Sequence, residues 1–311
     1  MNFKHLFRLL SWTLASLASL GAAGLKGDAE LNATVLGQPL KIKTTDRLAG
    51  AIGSMVWKGV EFIDQADHGR ELQSAINADW EGQLFIECYN PTEAGTVADG
   101  AGAKSSSVLE QISVKDGVLE TRNRMAFWLA PDMSSHGHPA FNKTVLSNHR
   151  ISKRVSVGYK QWENVLDYRV TYTLPDDYPH RKITVEALTG YMPPNFSVPY
   201  VFNPKTKVLE RLSAFPNRET GKPGLLATPE GDAAMGIFTP DRPMAGCPPI
   251  GYGLSNFTNS KVVKWNCVFR IYQSEPIKPG DYHYQFYVVF GSLEDCQKTL
   301  AGLQQEFAPS K

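Results

Sequence analysis

Residues 167–203, DYRVTYTLPDDYPHRKITVEALTGYMPPNFSVPYVFN, carry the clearest structural pattern in the chain. From Leu166 to Leu174 apolar and polar residues alternate, and a period of two is typical of a strand with one buried face. The alternation returns over residues 182–188, after a link, Pro-Asp-Asp-Tyr-Pro at 175–179, that is rich in turn-forming residues. The pattern predicts that 166–174 and 182–188 are adjacent antiparallel strands.

The same stretch resembles the galactose mutarotase-like (aldose 1-epimerase-like) superfamily, where a Tyr-Thr-Leu strand, an acidic turn and an apolar strand lead to an Asn-Leu-Thr-Asn-His-x-Tyr-Phe-Asn segment. Residues 195–203, NFSVPYVFN, correspond to that segment. The resemblance implies an all-β fold, a large antiparallel β-supersandwich. It also argues against the family's usual chemistry, because Val198 or Pro199 replaces the catalytic histidine and residues 243–274 contain no glutamate for the second catalytic position.

Length and composition agree with a globular protein. The 311 residues are 42% hydrophobic and 20% charged, and no linker rich in Pro or Ser interrupts the strand pattern, so we expect one β-supersandwich domain over residues 24–311. Near its end, Ser292 followed by Asp295 predicts the start of a short C-terminal helix with an apolar stripe. The net charge of +1 gives no reason to expect a nucleic acid or an anionic membrane as partner.

Residues 1–23 have the pattern of a secretory signal peptide, with Lys4 and Arg8 before an apolar run and small residues after it. The run is too short to span a bilayer, so we expect a secreted or periplasmic protein with no membrane span after signal cleavage. Export permits disulfides, and we expect Cys247 and Cys267 to form a pair because both flank one passage from loop to strand.

Polar residues of the kinds that bind or transform ligands crowd residues 67–95. Seven of them are candidates: His68, Arg70, Gln73, Glu87, Tyr89, Asn90 and Glu93. Because such side chains cost free energy in an apolar core unless they are paired, we expect them to converge on one concave site, although a cluster of solvated loops would have the same composition. In the epimerases a Gly-Arg pair at this place carries a sugar-binding arginine, and Gly69-Arg70 matches it here.

Further candidates follow in the next hundred residues. Arg122 and Trp128 share one face by parity and could hold a pyranose ring, or they could be a surface arginine beside a core tryptophan. His136 and His138 could ligate a metal if His149 came near, could contribute to the cleft, or could belong to an inert loop. We expect no metal and no cofactor, since the chain has no phosphate-binding or dinucleotide motif.

The sequence therefore predicts an exported carbohydrate-active protein that acts on an extracellular glycan through a polar groove. An enzyme of the glycoside hydrolase type would use Glu87 and Glu93 as its carboxylate pair. An enzyme of the polysaccharide lyase type would use Arg70 to neutralise charge and His68 or Tyr89 as a base. Two alternatives stay open, a non-catalytic glycan-binding protein and a sugar epimerase with a non-standard site. The expected partner is an oligo- or polysaccharide, and the oligomeric state is left open.

Overall fold

The structure, a computed structural model, describes residues 25–308, so the predicted signal peptide at residues 1–23 lies outside the described residues. The strands are β1 (Ala29–Val35), β2 (Gln38–Thr44), β3 (Ile52–Trp57), β4 (Val60–Glu61), β5 (Leu72–Ala78), β6 (Pro91–Thr92), β7 (Val108–Lys115), β8 (Val118–Phe127), β9 (Ser134–Ser135), β10 (His138–Pro139), β11 (Leu146–Tyr159), β12 (Trp162–Leu174), β13 (Lys182–Met192), β14 (Val198–Asn203), β15 (Val208–Arg211), β16 (Arg218–Glu219), β17 (Gly224–Ala227), β18 (Ala234–Phe238), β19 (Gly251–Phe257), β20 (Val262–Tyr272) and β21 (Gly280–Gly291). The helix α1 (Leu293–Glu306) follows β21.

Most strands belong to one large antiparallel sheet. Its strand order is β15-β14-β17-β18-β21-β12-β11-β8-β6-β5-β13-β20-β19-β16, and β7 pairs with β8 beside this path. A second sheet is formed by β1 to β4, and a third by β9 and β10. The prediction of an all-β antiparallel fold with a C-terminal helix is confirmed. Residues 25–308 contain no helix with the length and apolar composition that a membrane crossing needs.

The prediction that 166–174 and 182–188 are adjacent strands is wrong. Both segments are strands, but β12 pairs with β11 and β21, whereas β13 pairs with β5 and β20. The two strands instead meet face to face across the core, where the Tyr172 hydroxyl donates to the backbone oxygens of Glu186 at 3.2 Å and Ala75 at 3.3 Å. Alternation identifies the buried face of a strand but not the strand it pairs with. The pattern therefore could not show that β12 and β13 lie apart in the sheet.

The C-terminal helix forms where the sequence predicts it. Ser292 is its N-cap, and its side chain accepts from the backbone N–H of Asp295 while the Asp295 side chain accepts from the backbone N–H of Ser292. The buried stripe of Cys296, Leu300 and Leu303 packs on β12, β18 and β21. This reciprocal cap satisfies two backbone donors at the start of the helix.

The expected disulfide is also wrong, because all four cysteines are free thiols. The Cys247 thiol contacts the backbone of Tyr272, with its Sγ 3.7 Å from the Tyr272 carbonyl oxygen. Tyr272 lies five residues beyond Cys267 on β20, which is about 16 Å along a strand. The Cα atoms of a disulfide lie within about 7 Å of each other, so the two cysteines cannot bridge.

Candidate functional site

Three neighbouring strands of the large sheet, β5, β13 and β20, form the floor of a groove. On β5, Gln73, Ala75 and Asn77 line it, whereas Leu72 and Ile76 point to the other side and join the main core. The strand therefore has one polar and one apolar face, as alternation requires. On the neighbouring strands the floor is completed by Glu186 and Tyr191 from β13 and Lys264 from β20.

A β-bulge in β13 sets which of its side chains face the groove. Glu186 pairs with Ala75 and Thr189 pairs with Gln73 on β5, so three steps on β13 match two steps on β5. The extra residue reverses the parity, and it places Glu186 on the same face as Thr189 and Tyr191. The Thr189 hydroxyl accordingly donates to a Glu186 carboxylate oxygen at 3.1 Å.

Two adjoining hollows make up the groove. The small hollow measures about 190 Å³ and contains Gln73, Asn77, Asn90, Glu186 and Lys264 in its lining. The large hollow measures about 380 Å³ and contains Asp67, Arg70, Phe257 and Ser260. Gly69, Glu87, Trp128 and Tyr191 line both hollows. The large hollow lies within the size range of small-molecule sites, and both aromatic and polar side chains line the groove.

The floor carries an ion pair, with the Lys264 Nζ 3.6 Å from a Glu186 carboxylate oxygen. Burial alone would raise the pKa of Glu186, but Lys264 and hydrogen bonds from Thr189 and Asn266 bring that pKa below its usual value. Burial alone would lower the pKa of Lys264, but Glu186 raises that pKa above its usual range. The ammonium also lies 5.3 Å from the centre of the Tyr191 ring, a cation–π contact. Both members of the pair are thus held in their charged forms.

Arg70 stands at the rim of the large hollow with its charge already compensated. Its Nε lies 2.9 Å from an Asp67 carboxylate oxygen, and its Nη1 lies 3.6 Å from Asp64. The same Nη1 donates to the Ser260 carbonyl oxygen at 3.0 Å. The guanidinium is therefore fixed in place by three partners, while 18% of the side chain stays exposed.

Glu87 forms the wall between the two hollows. Its φ of 68° lies in the left-handed region, which few non-glycine residues adopt. The conformation is held from both sides, because the Glu87 N–H donates to Asn77 Oδ1 at 2.8 Å and the Ser135 hydroxyl donates to a Glu87 carboxylate oxygen at 2.6 Å. His138 lines neither hollow; its ring stacks on Phe85 at 3.6 Å and joins the β9–β10 hairpin to the Glu87 loop.

Trp128 lines both hollows as well, and Gly69 makes room for its indole. A Cβ atom at position 69 would lie 2.7 Å from Cη2 of the Trp128 indole, which is closer than side chains approach. The expectation that Arg122 and Trp128 share one face is wrong, because β8 ends at Phe127 and parity does not continue past it. Arg122 lies on the exposed face, 3.3 Å from Glu110, and lines a separate hollow.

The structure brings four of the seven clustered candidates together, namely Arg70, Gln73, Glu87 and Asn90. His68 borders the large hollow, but it is fully buried and its two ring nitrogens lie 2.7 Å and 2.8 Å from the carbonyl oxygens of Gly100 and Arg47. Tyr89 is buried against Trp80 and Phe127, away from the groove. These two residues have structural surroundings, and neither presents a free polar group to the groove.

Glu93 belongs to a buried charge cluster rather than to the groove. The cluster consists of Glu71, Glu93 and Lys153, and the Lys153 ammonium donates to Glu93 and to the Leu72 carbonyl oxygen. Burial raises the pKa of Glu93, an effect that Lys153 only partly offsets. Burial and the nearby Glu93 raise the pKa of Glu71 well above its usual value. The predicted pairing of Glu87 with Glu93 therefore fails, because Glu93 has no exposed surface.

Three groove residues, Glu186, Tyr191 and Lys264, were not among the sequence candidates. A signal for two of them existed, since Glu186 lies on the polar side of the alternation in β13 and Lys264 on the polar side of β20. What the sequence did not show is that β5, β13 and β20 are neighbours. Tyr191 could not be predicted as a groove residue, because simple alternation without the bulge puts it on the face opposite Glu186.

No protein-family profile and no curated protein sequence matches the chain. Among solved structures, the α-galactosidase from Lactobacillus brevis is similar at 6% identity and a TM-score of 0.44, over 86% of this chain and only 39% of that one. A protein from Synechocystis sp. PCC 6803 is similar at 8% identity and a TM-score of 0.43, over 92% and 100% of the two chains. A galactose mutarotase-like protein from Lactobacillus casei is similar at 9% identity and a TM-score of 0.41, over 85% and 99%. The last belongs to the superfamily that the sequence resembles.

Proposed function

We propose that the groove binds a carbohydrate and that the protein is a glycan-binding protein without acid–base catalysis of its own. The lining suits a sugar, because amides and charged groups can hydrogen-bond hydroxyls while the rings of Trp128 and Tyr191 offer flat apolar faces. The superfamily that the sequence resembles acts on sugars, and this supports the ligand class by analogy only.

The Glu186–Lys264 ion pair is the observation that favours ligand binding over catalytic turnover. Proton transfer near neutral pH needs a group whose pKa lies close to the working pH. The opposite holds here, since the pKa of Glu186 is lowered by Lys264 and that of Lys264 is raised by Glu186. Glu71 and Glu93, whose pKa burial raises, line neither hollow. The groove floor therefore offers fixed charges that orient a ligand.

A glycoside hydrolase remains the second candidate because of one feature of the lining. Glu87 and Glu186 both line the small hollow, and glycoside hydrolysis commonly uses two carboxyl groups that flank the scissile bond. In such an enzyme Glu186 would be the base or nucleophile, since Lys264 keeps it ionised. Glu87 would then have to act as the acid.

An exported location, secreted or periplasmic, is part of the proposal. It depends on the signal-like pattern of residues 1–23. Cell fractionation with sequencing of the mature N-terminus tests it, and a mature protein that retains residues 1–23 in the cytoplasm would exclude an extracellular glycan as ligand.

The binding proposal is tested with two variants inside the groove and one control variant outside it. Arg70→Ala and Gln73→Ala should weaken the binding of a glycan found on a glycan array by at least tenfold, about 1.4 kcal/mol, the scale of one charged hydrogen bond. Arg122→Ala is the matched control, because Arg122 is exposed outside the groove. Thermal melts check that each variant folds. Equal affinity of all three variants and the wild type would place the binding site elsewhere.

Turnover is measured on the same ligands. We expect neither new reducing ends nor unsaturated products after incubation with the wild-type protein. Appearance of reducing ends, lost in both Glu87→Gln and Glu186→Gln, would establish the hydrolase candidate in place of the binding protein.

A further inference from the structure

Glu87 differs from the other charged residues of the groove because it has no cationic partner. Lys264 is paired with Glu186, and Arg70 is paired with Asp67 and Asp64. No Lys, Arg or His nitrogen among residues 25–308 forms an ion pair with the Glu87 carboxylate. Its one side-chain hydrogen bond comes from the neutral hydroxyl of Ser135.

The whole lining has an excess of negative charge. Two cations, Arg70 and Lys264, face three carboxylates, Asp67, Glu87 and Glu186, so the net charge is −1. The cations are bound by their own carboxylates, which leaves the excess at Glu87. An unpaired charge in a partly enclosed hollow is costly unless a ligand or water compensates it, and the left-handed backbone at Glu87 adds strain at the same residue.

Two aromatic rings of the groove also favour a cation. Trp128 and Tyr191 line the same two hollows as Glu87, and the faces of such rings attract positive charge. Tyr191 already binds one ammonium in this way, that of Lys264. A ligand that carried a carboxylate or a sulfate would instead meet the unpaired Glu87.

We propose that the ligand of the groove is an amino sugar whose protonated amino group binds the Glu87 carboxylate between the rings of Trp128 and Tyr191. The inference rests on the proposed carbohydrate-binding function and names the ligand class within it. Ser135 and Asn77 hold Glu87 in position for this contact. Neutral sugars bind less tightly in the groove, and uronates are disfavoured.

Matched sugars test the inference by ligand-observed NMR or calorimetry at a pH where the amine is protonated. Glucosamine and galactosamine are compared with glucose, galactose and glucuronate. The wild-type protein should prefer each amino sugar to its neutral counterpart by at least tenfold, and added salt should reduce the preference as expected for a charge contact. The salt series uses only the wild-type protein, so it does not depend on the folding of a variant.

Two glutamine variants complete the test. Glu87→Gln should remove the preference, whereas Glu81→Gln should keep it, since Glu81 is an exposed carboxylate of the same loop outside the groove. Neutral sugars that bind as tightly as amino sugars would overturn the inference and leave the carbohydrate-binding function standing. A preference that survives Glu87→Gln would also overturn it, and binding of no sugar at all would overturn both.

Discussion

Glu71→Gln is the substitution whose effect can be worked out most fully from the structure. Glu71 is completely buried, and neither of its carboxylate oxygens has a hydrogen-bond partner among the described residues. Burial, together with the charge of Glu93, raises the pKa of Glu71 well above its unfolded value of 4.5. The folded protein therefore keeps a proton on Glu71 in a pH range where the unfolded chain has lost it. Glutamine has nearly the same shape and is neutral at every pH.

The size of the effect follows from proton linkage. Above the unfolded pKa of 4.5 and below the raised folded pKa, the folded state binds one more proton than the unfolded state. The free energy of unfolding of the wild type then falls by about 1.4 kcal/mol for each pH unit that the pH rises. Glu71→Gln lacks this loss, so its stability relative to the wild type should grow by about 1.4 kcal/mol for each pH unit within that range. Below the unfolded pKa the difference should be constant, because Glu71 is then neutral in both states.

Urea unfolding of both proteins, followed by tryptophan fluorescence from about pH 4 to about pH 8, measures the difference. Glu230→Gln is the control, since Glu230 is exposed on a turn, and it should show no such trend. The reasoning is refuted if Glu71→Gln is less stable than the wild type by the same amount at every pH. That result would mean that folding does not raise the pKa of Glu71 and that the cost of the substitution lies in packing or hydrogen bonding.

Three further outcomes are expected. Gly69→Ala should displace the Trp128 indole, because a Cβ atom there would lie 2.7 Å from it; glycan affinity should fall at least tenfold with the fold retained, and unchanged affinity by calorimetry would contradict this. Alkylation of the denatured, unreduced protein should add four labels by mass spectrometry, because all four cysteines are free, and two labels would reveal a disulfide. His149 is buried and its pKa is lowered by burial from 6.5 to about 3, so the wild type should lose about 1.4 kcal/mol of stability per pH unit as the pH falls below the unfolded value. His149→Phe should lack that loss in urea titrations, and parallel pH profiles of the two proteins would contradict the assignment.

The fold class could be predicted because alternation and capping are local signals. The buried faces of β12 and β13 and the cap of α1 at Ser292 are each encoded within a few residues. The pairing of strands is not local. A link of seven residues between β12 and β13 is compatible with a hairpin and with a crossing between layers, and the tertiary contacts of Tyr172 with Ala75 and Glu186 decide for the crossing.

The site was only partly predictable for a related reason. A glutamate that interrupts an apolar stretch has the same appearance in the sequence whether it faces a groove or pairs inside the core. Glu87 and Glu93 are six residues apart, but a partner 60 residues away, Lys153, allows Glu93 to be buried. Glu87 lines the groove and Glu93 is buried because of that distant lysine. The residues near Glu93 in the sequence do not indicate that it has such a partner.

The bulge in β13 makes the groove depend on chain length as well as on residue type. Removing the extra residue between Glu186 and Thr189 would leave two steps on β13 for two steps on β5, so the strand would become regular and Thr189 and Tyr191 would keep their face. Regular alternation through the segment at its present length would instead turn Tyr191 into the core and bring Met192, which is buried in the core, to the groove. The segment from Glu186 to Tyr191 must therefore either carry its extra residue in a bulge or lack it altogether, because a regular strand of the present length would put the two side chains on opposite faces of the sheet.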